Sequence, residues 1–265
     1  MTIPRVLVIA GSDSGGGAGI QADIKTVMAF GGHAMTAITA ITAQNTLGVS
    51  RVEVLDPAMV VAQIDAVLSD IGADAIKIGM IGSPAIAEAV ADRLAEADTR
   101  MPLVFDPVMV ATSGAVLADA RTIVAFERLM RRATLITPNL PELAVLSPDG
   151  AEALARRTGA AVLAKGGHGE GELLLDALFA PDGVREEWTD PRIDTRHTHG
   201  TGCTLASAIA TGLARGDDLT SAVAAARRYV RAAIEAAPGL GQGSGPLGHA
   251  AAAGLLFPPS PSSRT

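Results

Sequence analysis

Val6-Leu7-Val8-Ile9-Ala10-Gly11-Ser12-Asp13-Ser14-Gly15-Gly16-Gly17-Ala18-Gly19 is the stretch that decides the fold. Its apolar start reads as a buried strand. Ile20, Ile24, Val27 and Met28 then fall at helical spacing. The unit is strand, Gly-rich loop, helix, which is the building block of an α/β protein. The glycines either make a flexible turn or let backbone approach a ligand closely. The loop lacks the Lys-Ser/Thr of a P-loop and is not a clean dinucleotide fingerprint. Asp23, one turn into the helix, is placed to bond a ligand or to be solvated.

Composition agrees with this unit. The chain has 265 residues, 48% of them hydrophobic but only 3% aromatic. A core of Ala, Val, Leu and Ile suits helices packed on a parallel sheet. A net charge of −7 argues against a broad nucleic-acid surface. The N-terminus runs straight into Arg5–Ala10, so no signal peptide is expected, and no apolar run is long enough to span a bilayer. The single cysteine, Cys203, excludes an internal disulfide and fits a cytoplasmic location.

Further along, Gly31-Gly32 ends the first helix, and residues 34–43 and 49–55 read as two strands with no helix between them. They are expected to form a small flap beside the main sheet. Gln44, between them, offers both a donor and an acceptor, which suits an aminopyrimidine edge. Pro57 opens a helix, and Ser83-Pro84 starts another with Ser as cap. Ala75–Met80 reads as a strand and a Gly turn, and Leu103–Met109 as the next strand. Its carboxylate, Asp106, sits at the carboxyl end, the edge where open α/β sheets bind ligands. Asp106-Pro107 is also an ordinary turn signal.

A helix is expected over Asp119–Arg131 and a strand over Thr134–Thr137. Asn139 and Glu142 then lie three apart at a strand-to-helix junction. An acidic side chain there suits hydrated Mg²⁺, but the spacing alone favours helix capping. Lys165 ends a strand and faces either nucleotide phosphate or solvent. Pro181-Asp182-Gly183 splits two β-type runs and predicts a hairpin at the sheet edge. Arg227, Arg228 and Arg231 read as the wet face of a helix over Leu219–Ala236. Residues 1–250 are expected to form one domain. The Gly- and Pro-rich run from Pro238 is expected to cover the nucleotide side at its start, and residues 251–265 to be a disordered tail.

His197-Thr198-His199-Gly200-Thr201-Gly202-Cys203-Thr204 precedes an apolar helix. Gly200, Thr201, Gly202 and Cys203 therefore sit where free N–H groups and a helix dipole favour an anion. A thiol at such a terminus is expected to have its pKa lowered, which makes Cys203 a candidate general base. The competing reading is a small cysteine packed under the loop.

Seven stretches, taken together, carry a resemblance. They are residues 10–23, Thr42–Thr46, Lys77–Met80, Asp106–Met109, Thr137–Glu142, Lys165–His168 and Thr198–Thr204. Over about residues 4 to 250 the chain resembles the ribokinase-like superfamily. Within it, the chain is similar to the hydroxymethylpyrimidine/phosphomethylpyrimidine kinases of thiamine biosynthesis. The resemblance implies a central, mainly parallel sheet with helices on both faces, a small β flap, ATP, Mg²⁺ and a homodimer. It implies phosphorylation of 4-amino-5-hydroxymethyl-2-methylpyrimidine and then of its monophosphate. It assigns Gln44 to the aminopyrimidine edge and Gly11, Ala18, Asp23, Met80 and Val108 to the pyrimidine pocket. Asp106, Asn139 and Glu142 fall in the Mg²⁺–phosphate region, with Asp106 and Glu142 the metal's carboxylates. Lys165 goes to the nucleotide and Gly200–Cys203 to the anion hole. His197 departs from the asparagine often found there. A pyridoxal kinase of the same fold and a non-catalytic pyrimidine-binding protein are the alternatives; at position 44 an apolar residue suits pyridoxal better.

Overall fold

The computed structural model describes residues 2–97, 101–110, 117–168 and 171–256. Strand β1 (Arg5–Asp13) runs through the glycine loop into helix α1 (Gly19–Ala29) and then β2 (His33–Asn45) and β3 (Gly48–Val54). Next come α2 (Pro57–Asp70), β4 (Ala75–Ile78), α3 (Pro84–Glu96), β5 (Leu103–Phe105), α4 (Ala120–Arg132) and β6 (Leu135–Ile136). The chain continues through α5 (Leu140–Leu146), α6 (Ala151–Thr158), β7 (Ala161–Ala164), β8 (Leu173–Ala180) and β9 (Gly183–Pro191). Helices α7 (Thr201–Arg215), α8 (Leu219–Glu235) and α9 (His249–Leu256) complete the described chain.

Among the described residues the strands form one nine-stranded sheet in the order β3-β2-β1-β4-β5-β6-β7-β8-β9. The six strands from β2 to β7 pair in parallel, and antiparallel pairing is confined to β3 at one edge and β8–β9 at the other. In β1, Leu7 and Ile9 point to one face and Val6, Val8 and Ala10 to the other. Both faces are covered, by α2–α6 on the first and α1, α7, α8 and α9 on the second. That is why β1 is apolar throughout rather than alternating.

Local signals hold where the physics is local. Asp56, Ser83 and Asp119 cap α2, α3 and α4 through their side chains. Pro181-Asp182-Gly183 turns β8 into β9. Three expectations change. The proximal half of β2 pairs with β1, so the flap is β3 with the distal half of β2. Arg227 is not solvated: it donates to Asp176 (2.7 Å) and Asp190 (2.6 Å) and lies 5.2 Å from the Trp188 ring centroid. Helix α9 runs through Leu256, so the disordered tail expected over 251–265 does not begin at 251; residues 257–265 lie outside the described part, as do 111–116 of the loop after Met109.

Candidate active site

The carboxyl ends of β1, β4, β5 and β6 open on a cleft of about 970 Å³. Its walls include Gly11, Ala18, Gln44, Met80, Val108, Asp106, Asn139, Glu142, Lys165 and the whole Gly200–Cys203 run. Every residue singled out for the site reaches it except one.

The exception is Asp23. It is fully buried beneath the cleft, and both its carboxylate oxygens lie 3.0 Å from Lys77 Nζ. Ser207 Oγ donates to Oδ1 at 2.7 Å. Asp23 therefore leaves the pyrimidine pocket and becomes a structural counter-ion. Burial raises the Asp23 carboxyl against the pull of Lys77 and Ser207, and Lys77, despite its own burial, is raised by Asp23, Cys203 and Asp106. The bidentate geometry and the added hydroxyl favour the ionised pair.

At one end of the cleft Asp13 organises the glycine loop. Its carboxylate accepts from the backbone N–H groups of Gly15 (2.8 Å), Gly17 (3.0 Å) and Ala18 (2.9 Å). His199 Nε2 donates to the same carboxylate at 2.9 Å. Burial pushes the Asp13 carboxyl up, but these hydrogen bonds outweigh it and hold the pKa below the ordinary value. The Gln44 amide lies between His199 Nε2 (3.3 Å) and Thr42 Oγ1 (3.2 Å).

The start of α7 meets this end directly. Gly200 has φ +90, and a Cβ there would lie 1.9 Å from Gly17 O. Only glycine allows the two loops to touch. Gly200 offers no capping side chain, so the first-turn N–H groups are not taken up by one. The loop-to-helix junction expected at Gly200–Cys203 is present. The thiol pKa is not as expected. Burial pushes Cys203 up to about 11, with Lys77 opposing and Asp23 and Asp106 adding to the rise. Desolvation by elements packed around the terminus outweighs the helix dipole.

The middle of the cleft is charged. Lys165 Nζ donates to Asp106 Oδ1 at 2.9 Å, and Thr137 Oγ1 donates to the same oxygen at 2.8 Å. Burial raises the Asp106 carboxyl, but Lys165, Lys77 and the Thr137 hydroxyl bring it below its ordinary value. Burial lowers Lys165, and Asp106 and Glu142 more than restore it. Glu142 is raised, chiefly by burial. Asn139 and Glu142 form a complete capping box on α5, each bonding the other's backbone N–H at 2.9 Å. Capping, favoured by spacing, is thus real, and both residues still line the cleft. A Cβ on Gly202 would come within 3.3 Å of Asp106 Oδ2 and 3.4 Å of Lys165 Nζ.

No group of three or more His, Cys, Asp or Glu that could hold a metal by itself occurs among the described residues. Asp106 and Glu142 bring two carboxylates to one cleft, a set that would suit a Mg²⁺ whose other ligands are waters and phosphate oxygens. Ile193, Val230 and Ile234 also line the cleft.

The run from Pro238 bonds to the β2–β3 turn and to the loop before α7. Ser244 N–H donates to Thr46 O (2.9 Å), and Gln242 and Gly243 N–H groups approach Thr46 Oγ1 at 3.2 and 3.3 Å. Pro246 bridges to His199. The segment therefore straps the Gln44 end. Asp13, His199 and Lys77 were not read from sequence as site residues. Asp13 before a glycine run is an Asx-turn signal, and Lys77 interrupts an otherwise apolar strand.

A family model described as phosphomethylpyrimidine kinase matches residues 13–248. The hydroxymethylpyrimidine/phosphomethylpyrimidine kinase of Streptomyces coelicolor is 48% identical, covering 96% of this chain and 97% of that protein. A thiamine biosynthesis bifunctional protein of Geobacter sulfurreducens is also 48% identical over 94% of this chain, which spans only 52% of that longer protein. The Bacillus subtilis pyridoxal kinase, solved as an ADP complex, superposes with a TM-score of 0.85 at 34% identity, covering 94% of this chain and 98% of that one. The fold is ribokinase-like. The match across nearly the whole described chain leads to one conclusion: this protein belongs to the phosphomethylpyrimidine kinase family.

Proposed function

We propose that this chain transfers the terminal phosphoryl group of ATP to the hydroxymethyl group of 4-amino-5-hydroxymethyl-2-methylpyrimidine, and then phosphorylates the monophosphate to the diphosphate. The observation that carries the reading is the direct abutment of Gln44, a donor–acceptor pair, on the loop Gly200–Cys203 through His199. Such an arrangement reads an aminopyrimidine edge on one side and receives a phosphoryl group on the other.

Phosphoryl transfer needs positioning and charge neutralisation more than covalent chemistry. Gly11, Ala18, Met80 and Val108 hold the ring, and Gln44 orients it. The first-turn N–H groups of α7 take the transferring oxygens. Lys165 exchanges its contact with Asp106 for nucleotide phosphate. Ile193, Val230 and Ile234 offer an apolar bed for the nucleobase. Asp106 and Glu142 would hold Mg²⁺, with Asn139 keeping Glu142 in place, and the metal would supply charge neutralisation at the phosphates. Cys203 first gives up its own proton to solvent, the Lys77 charge favouring the thiolate, and the thiolate then accepts the hydroxyl proton. A homodimer accords with the exposed Ile41 on β2 and Val52 and Val54 on β3, and a cytoplasmic setting with the single thiol.

Purified protein with ATP, Mg²⁺ and the pyrimidine is expected to yield mono- and diphosphate. The likeness to pyridoxal kinase supports pyridoxal as the second reading. Pyridoxal turnover without pyrimidine turnover would decide for it.

A further inference from the structure

His199 Nε2 lies 2.9 Å from Asp13 Oδ2 and 3.3 Å from one terminal atom of the Gln44 amide. One imidazole nitrogen cannot both donate and accept. Asp13 already accepts three backbone N–H groups. A carboxylate so placed only accepts, so Nε2 carries a hydrogen and donates. On the other side, Thr42 Oγ1 donates its hydrogen to Ser12 O at 2.9 Å. The structure sets Gln44 Nε2 against His199 and Gln44 Oε1 3.2 Å from Thr42 Oγ1, where only lone pairs remain.

The donor inventory then fixes the amide. With nitrogen toward His199, two donors would meet there and two acceptors would meet at Thr42. With oxygen toward His199, both contacts are satisfied: Oε1 shares the Nε2 hydrogen, and Nε2 of Gln44 donates to Thr42 Oγ1. The second lone pair of Oε1 and the second hydrogen of Nε2 remain for a ligand.

We propose that His199 is a positioning residue that locks the Gln44 amide with its oxygen on the anion-loop side, and so selects a 4-amino pyrimidine over its 4-oxo counterpart. This rests on the pyrimidine kinase reading above. A 4-amino group donates to Oε1 and the adjacent ring nitrogen accepts from Nε2. The 5-hydroxymethyl group is ortho to the amino group. An amino group on the His199 side therefore turns the hydroxymethyl toward Gly200, the residue that follows His199, and toward Cys203. The 4-oxo ring presents a carbonyl and a ring N–H in the same places, and both clash with the locked amide. His199 thus links the identity of the base to the placement of the reacting group.

The test compares kcat/KM for the two pyrimidines in wild type, His199→Leu and His199→Gln. Leucine removes the donor and frees the amide to turn over; glutamine puts an amide nitrogen near the lost Nε2. Discrimination is expected to narrow about tenfold or more in His199→Leu and to persist in His199→Gln, whatever the absolute rates. An equal loss on both substrates in His199→Leu, with the ratio unchanged, would overturn the proposal. A second measurement needs no substrate: ¹⁵N NMR of the imidazole in ligand-free wild type is expected to show hydrogen on Nε2. An unprotonated Nε2 overturns the lock independently. If neither pyrimidine is a substrate for wild type, the kinase reading fails, and the NMR result still decides whether His199 fixes the amide.

Discussion

Lys77 Nζ sits 3.0 Å from each carboxylate oxygen of Asp23, and neither residue is reached by solvent. The pair lies near enough to Cys203 for both charges to act on its thiol. Removing one partner leaves an uncompensated buried charge. Lys77→Met is expected to cost about 3–5 kcal/mol of stability, and Asp23→Leu/Lys77→Met to recover most of it. Urea unfolding of the three proteins checks this. A double variant as unstable as the single one would show that packing, not charge, carries the effect.

The thiol of Cys203 leads to a second expectation. With its pKa pushed up to about 11 by burial, it is protonated at neutral pH in the ligand-free protein. Alkylation by iodoacetamide is expected to be slow at pH 7 and to climb through the alkaline range without a plateau near neutrality. Half-maximal reaction near pH 7 would contradict it. Cys203→Ala is expected to lower kcat about a hundredfold or more while pyrimidine still binds; near-native kcat would remove Cys203 from the role of base.

Glu142 serves a cap and faces the cleft, and one substitution separates the two. In Glu142→Gln the amide oxygen still accepts from Asn139 N–H, so α5 is expected to keep its N-terminus and the protein its stability. The lost charge is expected to raise the Mg²⁺ concentration for half-maximal activity about tenfold. An unchanged Mg²⁺ requirement would place the metal elsewhere.

His249, at the start of α9, accepts from Thr204 Oγ1 at 2.9 Å, and burial lowers its pKa from 6.5 to about 4. The folded protein therefore keeps it neutral where the unfolded chain protonates it. Its contribution is full above about pH 6.5 and is lost as pH falls towards about 4. The lost stability is on the order of 3 kcal/mol. His249→Gln is expected to flatten the decline between those pH values in denaturant titrations; an unchanged slope would assign the acid sensitivity to other groups.

What the sequence disclosed and what it withheld divide along chain distance. Ser83 and Asp119 announced their helices, and Gly200 its loop, because a cap or a turn is decided within a few residues. The Asn139–Glu142 box was visible for the same reason. Asp23 was misassigned because its partner, Lys77, is 54 residues away. Asp13 and His199 are 186 apart, and nothing local marks them as a pair. The Cys203 thiol shows the same limit from the electrostatic side: the helix terminus is local, whereas the burial that overrides it comes from β1, β4 and β5 folding around it. Arg227 looked wet on its own helix because Asp176 and Asp190 arrive from another part of the sheet.

The strap over the Gln44 end has a temporal consequence. Gln242 and Thr46 are 196 positions apart. During synthesis the β2–β3 turn emerges well before its strap. The sheet can assemble from neighbouring strands long before, but the turn that carries Gln44 gains its last hydrogen bonds only when residues 242–246 have left the ribosome. Such distant contacts close slowly compared with local ones. Competence for binding therefore comes as a late event in the life of each molecule, after its architecture is already in place.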